Sequence, residues 1–309
     1  MAQVDISVIV PVFNEEDSVG PLCSAIVEAL EPMNRSFEVL LVDDGSSDET
    51  IPRATAIVAK DPRIQVLRFQ RNSGQTAAMS AGIEFANGEF LVTMDGDLQN
   101  DPKDIPMMIA KLEEGFDLVV GWRMNRQDKW LSRKLPSMFA NKLIGKVTRL
   151  PIRDNGCSLK VYRADVIKRV PLYSDMHRFI PAMTIPLGAR IAEVGVRHHA
   201  RQFGESKYGL SRVLKVIVDL LTIKTLLIFA RAPLKTFAGI SLVSLIAGLL
   251  TFLMVQTDGD YRVVETAVFL LFVSLAVFVF LVGLVAAVIF QSKGKLEPPQ
   301  FPSSQKVLQ

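Results

Sequence analysis

The 309-residue chain has two cysteines, Cys23 and Cys157, which excludes a disulfide scaffold and suits a reducing compartment. Charge is scarce too: 22% of residues are charged and the net is only +3, so nothing argues for a nucleic-acid partner and none is expected. Composition excludes a disordered or collagen-like chain. The first residues lack the apolar core of a secretory signal. Met1 to Asp5 leads straight into Ile6-Ser7-Val8-Ile9-Val10, which reads as a strand. About 200 residues are therefore expected to fold in the cytoplasm before any membrane segment. No Gly-x-Gly-x-x-Gly follows that strand, and no Gly-x-x-x-x-Gly-Lys-Ser/Thr occurs anywhere. Dinucleotide and P-loop readings lose their support.

Apolar sequence is in surplus, at 49% with a mean hydropathy of +0.28. It is concentrated near the C-terminal end. Phe237 to Val255 is 19 residues without a charge, and Thr266 to Phe290 is 25. As helices these reach about 28 and 37 Å, enough to cross a bilayer core of about 30 Å. Arg231 and Lys235 flank one side, Lys293 and Lys295 the other, while Asp258, Asp260 and Glu265 outnumber Arg262 in the link. The positive-inside rule puts both chain ends in the cytoplasm. Small residues at Ser244, Gly248, Gly283 and Ala287 permit close helix approach and association between copies, so a homo-oligomer is expected. Before the hairpin, Ser211 to Ala230 is apolar but broken by Arg212, Lys215, Asp219 and Lys224, the pattern of an interfacial helix.

The first 200 residues read as an open, mostly parallel α/β sheet. Strands are expected at Ile6–Val12, Glu38–Val42, Ile64–Phe69, Phe90–Met94 and Leu118–Val120. Helices are expected near Val19–Leu30, Glu49–Ala59, Thr76–Ala86 and Ile105–Glu113. Such sheets bind ligands at the carboxyl ends of their strands, so the polar residues there are the candidates. They are Pro11-Val12-Phe13-Asn14-Glu15, Asp43-Asp44-Gly45-Ser46-Ser47-Asp48, Asp95-Gly96-Asp97-Leu98-Gln99 and Gly121-Trp122-Arg123. Carboxylates converging on one edge repel unless a cation joins them. Two aspartates one residue apart, with an amide two further on, offer hard oxygen ligands to Mg²⁺ or Mn²⁺. An ion there would stabilise a departing diphosphate. The Asp43-Asp44 pair at a neighbouring strand end either strengthens that cation site or has Asp44 reach a ribose hydroxyl instead. His198 and His199 have no cysteine cluster nearby and read as structural.

In these motifs the chain resembles the family 2 glycosyltransferases of GT-A fold, and within them the polyprenyl-phosphate glycosyltransferases. Further similar stretches are Arg71-Asn72-Ser73-Gly74-Gln75, Asn125-Arg126-Gln127-Asp128, Asp154-Asn155-Gly156-Cys157 and Phe203-Gly204-Glu205-Ser206-Lys207-Tyr208. The resemblance implies inverting transfer of a sugar from a nucleotide sugar, a UDP-sugar by the nearer relatives, to undecaprenyl phosphate. That places the chain, multi-pass, in a bacterial cytoplasmic membrane. It further implies Pro11, Phe13, Glu15 and Asp44 in the nucleotide pocket, and Asp97 and Gln99 on metal with Asp95 beside them or on the sugar. Arg201 and Lys207 would meet the donor diphosphate. Arg123, Arg133 and Ser137 would surround the acceptor phosphate, and Arg126 lies in the same basic stretch. Asp154 matches a catalytic carboxylate of bacterial relatives. A phosphate monoester is already largely ionised at pH 7, so Asp154 serves either as a base or to orient the sugar.

The implied organisation is a GT-A domain over 1–205, a loop and interfacial helix over 206–232, two spans over 233–291 and a cytoplasmic tail over 292–309. Two rivals are weaker. A processive polysaccharide synthase calls for a Gln-x-x-Arg-Trp motif, absent here. A non-catalytic nucleotide-sugar binder would have no use for a separate acceptor site.

Overall fold

The computed structural model describes residues 4–124, 145, 150, 152–172, 176–200, 225, 232–254, 262–292 and 306–308. The chain divides into two compact units, Met1–Leu220 with Pro298–Gln309, and Leu221–Glu297.

The first unit is built on an eight-stranded sheet in the order β7-β5-β6-β4-β1-β2-β3-β8. Its strands are β1 (Ile6–Val12), β2 (Phe37–Asp43), β3 (Ile64–Arg68), β4 (Phe90–Thr93), β5 (Leu118–Arg123), β6 (Lys160–Arg163), β7 (Ile191–Val196) and β8 (Lys306–Leu308). β1 pairs in parallel with β2 and β4, β2 with β3, and β5 with β7. β6 runs antiparallel between β4 and β5, and β8 antiparallel along β3. Helices α1 (Val19–Leu30), α2 (Thr50–Val58), α3 (Gln75–Phe85) and α4 (Ile105–Glu113) connect the early strands.

The apolar strand runs are continuous because both faces are covered. On one face Val8, Val10, Leu41 and Val92 pack with Leu22 and Ile26 of α1 and with Met108 and Leu112 of α4. On the other, Ile9, Leu40, Val42 and Leu91 pack with Ala78, Met79 and Ile83 of α3. Each such valine or leucine contributes about 1.5–3 kcal/mol on burial.

The five expected strands and four expected helices are present, three with the expected bounds and the rest with shifts of one to three residues at an end. β6 and β8 were not anticipated. Four residues and three residues are too short to show a period, and β6 carries charged Lys160 and Arg163 at its ends. Two short helices, α5 (Ala164–Ile167) and α6 (Ile180–Thr184), follow β6.

The second unit contains α7 (Pro233–Met254) and α8 (Arg262–Ser292), both long and apolar enough to cross a membrane. Pro233 opens α7 at its first position, where a missing N–H costs nothing. Three of the expected small residues, Ser244, Gly248 and Gly283, lie between the two helices, and Ser241 joins them. Ser241 Oγ donates to the Ala276 carbonyl at 2.8 Å, and Ser244 Oγ to that of Phe272 at 3.1 Å. Gly248 abuts Phe272, and Gly283 abuts Phe237. Outward-facing leucines and valines such as Val243, Leu271 and Val288 remain exposed, as lipid-facing residues would. The expected interfacial helix, Ser211 to Ala230, lies outside the described residues apart from Thr225.

Candidate active site

β1, β2, β4 and β5 all end on one edge of the sheet. The first two ends are knitted into a single loop pair. Val12 O accepts from Asp44 N at 2.9 Å. Asn14 N donates to Ser46 Oγ at 2.9 Å, and Ser47 N returns a bond to Asn14 Oδ1 at 2.9 Å. Glu15 N donates to Thr50 Oγ1 at 2.8 Å, and the Glu15 carboxylate accepts from Ser18 Oγ at 2.6 Å. Asn14 adopts φ +54°, which a short polar side chain tolerates. Pro11 is buried, while Phe13 and Glu15 are half-buried beside this turn.

Asp44 is buried and faces the start of α3. Its Oδ1 accepts from Ser73 N at 2.7 Å and its Oδ2 from Gly74 N at 2.9 Å. Burial pushes its pKa up, offset in part by those two N–H donors, with Asp43 adding repulsion. Gly45 follows at φ +78°, where a Cβ would sit 2.7 Å from the Arg71 carbonyl carbon. The turn thus requires glycine to bring Asp44 against the 71–74 segment.

At the end of β4, Gln75 Nε2 donates to Asp95 Oδ1 at 2.6 Å, and Asp95 N donates to Ser158 Oγ at 3.2 Å. Asp97 is buried and accepts from Gln99 N at 3.1 Å. Burial and the Asp97 charge push the Asp95 pKa up. Carboxylate charge crowded in this way is what a divalent cation relieves. Among the described residues no cluster of three or more His, Cys, Asp or Glu could hold a metal. The donor set is two carboxylates and an amide oxygen. It fits Mg²⁺ or Mn²⁺, ions that take further oxygens from substrate phosphates and water.

β6 explains how a distant segment reaches this edge. Because it runs backwards, its beginning lies where its neighbours end, and residues 154–160 arrive beside Asp95 and Arg123. Ser158 Oγ also accepts from Asn100 Nδ2 at 2.7 Å. Arg123 Nε donates to Asp154 Oδ2 at 2.6 Å and Nη2 to Oδ1 at 2.9 Å. Lys160, buried, bonds the Cys157 carbonyl. Burial pulls its pKa down, while Cys157, Asp154 and Asp95 pull it back. Burial raises the Cys157 thiol to about 11, so it is inert at neutral pH. Beyond β7, His198 bridges to Asn100, and His199 N donates to Gln99 O at 2.8 Å. His199 Nε2 lies 3.4 Å from Asp101. These contacts give both histidines a part in shaping the loop after β4.

Residues 7–170 match the model of glycosyl transferase family 2, more than half of the chain. The chain belongs to glycosyltransferase family 2. It is 48% identical over 243 residues to dodecaprenyl-phosphate galacturonate synthase of Rhizobium johnstonii, covering 77% of this chain and 72% of that one. Among solved structures it is similar to glucosyl-3-phosphoglycerate synthase of Mycobacterium tuberculosis in complex with Mn²⁺, UDP and phosphoglyceric acid. That match has a TM-score of 0.58 at 19% identity, over 72% of this chain and 79% of that one. The UDP complex of the same enzyme gives 0.56 at 20%, over 72% and 81%. The GT-A fold and glycosyltransferase activity expected from the motifs are those of this family.

In this family 2 enzyme the described edge holds Pro11, Phe13, Glu15, Asp44, Asp95, Asp97, Gln99, Arg123 and Asp154. Arg126, Arg133, Ser137, Arg201 and Lys207 lie outside the described residues. Sequence reasoning assigned no role to Gln75, Ser158 or Glu193, which all touch named site residues. Gln75 was visible in the Arg71–Gln75 motif. Ser158 and Glu193 had no signal, since their relevance depends on β6 and β7 flanking β5.

Proposed function

We propose that the enzyme moves one sugar from a nucleoside-diphosphate sugar to the phosphate of a polyprenyl lipid at the cytoplasmic membrane face. The observation that carries this reading is the meeting of three kinds of group on one sheet edge. They are a buried acceptor for a nucleoside (Asp44), a paired-carboxylate diphosphate end (Asp95, Asp97) and a guanidinium (Arg123). The chain that carries them also has two apolar helices of spanning length. Pairing of β8 with β3 returns the chain, past both helices, to the sheet it began in, which supports an even number of crossings. The basic flanks support the cytoplasmic side.

In the reaction a lipid phosphate oxygen attacks the anomeric carbon from the face opposite the diphosphate. The bond from that carbon to the β-phosphate oxygen breaks, its electron pair leaves with the nucleoside diphosphate, and the anomeric configuration inverts. An attacking phosphate dianion has no proton to lose, so the step calls for no general base near or above pH 7. Asp44 holds the nucleoside end. Asp97 and Gln99, with Asp95, would hold Mg²⁺ or Mn²⁺, which supplies charge stabilisation to the departing diphosphate. Asp95, tethered by Gln75, borders the sugar, and Arg201 and Lys207 would add cationic contacts to the diphosphate. Arg123, with Arg126, Arg133 and Ser137, would bind the acceptor phosphate. The named Rhizobium relative supports a uronic acid as the sugar, and a UDP-linked donor remains the expectation.

The test incubates purified enzyme and Mn²⁺ with a panel of UDP- and GDP-sugars, UDP-galacturonate included, and undecaprenyl or dodecaprenyl phosphate. Lipid extracts are scored by mass. A lipid carrying one sugar is expected. Release of long polymer, or donor binding without turnover across the panel, would overturn the reading.

A further inference from the structure

Asp154 is 2% exposed, and both of its carboxylate oxygens are engaged by one guanidinium. The Arg123 backbone N–H adds a third contact to Oδ2 at 3.4 Å. This is a two-pronged pair of the kind that fixes a guanidinium plane as well as its charge. Protonating such a carboxylate would strand a largely buried cation, which breaking a buried pair makes expensive. A residue in that position is badly placed to take up a proton during turnover.

The pair is itself braced from behind. Glu193 on β7 accepts the backbone N–H of Arg153 at 2.7 Å and of Asp154 at 3.3 Å. The Arg153 guanidinium lies over the Trp122 ring, 4.5 Å from its centre. The residues just before Arg123 and just before Asp154 are thereby stacked on each other. Where the chain turns past the pair it carries Gly156. A Cβ there would lie 3.2 Å from Arg123 Nη2 and 3.5 Å from Asp154 Oδ1. Backbone, stacking and side-chain size all serve one orientation of Arg123.

We propose that Asp154 is a positioning residue that acts through Arg123 and takes no proton. It holds Nε and Nη2, turning the Nη1 edge of the guanidinium toward the acceptor phosphate. The proposal rests on the reading above that Arg123 meets that phosphate. It separates Asp154 from the base role that the family resemblance implied.

The test compares wild type with Asp154→Asn, Arg123→Lys and the double variant, titrating polyprenyl phosphate and nucleotide sugar separately. Asp154→Asn is expected to raise the acceptor KM on the order of 10- to 100-fold, the worth of a charge-assisted contact, with donor KM within about 2-fold. Its kcat/KM–pH profile is expected to keep the acid limb of the acceptor phosphate, near pH 6. Arg123→Lys keeps the charge and loses the fork, so it should reproduce the acceptor defect, and adding Asp154→Asn to it should cost little more. Should Asp154→Asn fold poorly, Asp154→Glu supplies the readout: it keeps a carboxylate but displaces it by one methylene, so the acceptor KM should rise while the acid limb stays. A thousandfold or greater loss of turnover at unchanged acceptor KM, loss of the acid limb, or additive defects in the double variant would overturn the proposal. Absence of wild-type turnover on polyprenyl phosphate would instead overturn the proposed function.

Discussion

Gly45→Ala isolates the cost of bringing Asp44 against the 71–74 segment. Gly45 has φ +78°, and an alanine Cβ would lie 2.7 Å from Arg71 C and 2.8 Å from Asn72 N, both backbone atoms. Left-handed backbone costs an L-residue about 1–2 kcal/mol. Forcing extra volume against backbone adds about 1–3 kcal/mol. The expected loss is therefore roughly 2–5 kcal/mol, or about 4–20 °C in melting temperature for a unit of this size. Gly188 supplies the control. It has nearly the same φ, +77°, and nothing within 4 Å of its added Cβ, so Gly188→Ala should lose only the conformational part, about 1–2 kcal/mol. The assay is thermal unfolding in detergent, paired with UDP affinity in the presence of Mn²⁺. Displacing Arg71 and Asn72 shifts Ser73 and Gly74, the donors to Asp44, so Gly45→Ala should weaken UDP binding at a temperature where it is still folded. Gly188→Ala should leave UDP binding unchanged. Equal losses in the two variants, or intact UDP binding in Gly45→Ala, would refute the reasoning that steric contact here sets the nucleotide site.

Asp44→Asn removes the charge that accepts two backbone N–H groups, and the affinity for UDP, read by calorimetry, should fall about 10- to 100-fold. Asp97→Ala should abolish stimulation by Mn²⁺ and cut turnover on the order of 10³-fold, read from initial rates with and without the ion. Acid should remove the stabilising contribution of two carboxyls of the first unit. The Ser36 hydroxyl holds the Asp5 carboxyl below its usual range, and the Arg63 side chain does the same for Asp61. A carboxyl whose folded pKa is depressed stabilises above its unfolded value, near 4, and loses that contribution as pH falls through the folded value. Asp5→Asn/Asp61→Asn should therefore melt below wild type at about pH 5 and above, and the gap between the two should close as pH falls toward about 3.

What the sequence made legible follows from which forces are local. β1 to β4 announce themselves because a strand covered on both faces must be largely apolar, and Ile6–Val12 is so apart from Ser7. The carboxylates after those strands were legible for the same reason, since a parallel sheet gathers its strand ends on one edge. β6 broke the rule. It is four residues long, begins with a lysine, and is a strand only because the edges of β4 and β5 flank it. Without β6, Asp154 is simply a loop carboxylate 31 residues after Arg123, and a role as base or sugar ligand is the natural guess. With it, reversal of chain direction carries 154–160 to the edge where parallel strands end, and the guanidinium and carboxylate meet. The partner of Asp154 is thus a consequence of topology, and only a structure could supply it. Lys160 tells the same story: its cost as a buried cation makes sense only beside Asp95 and Asp154, whose positions depend on the same reversed strand.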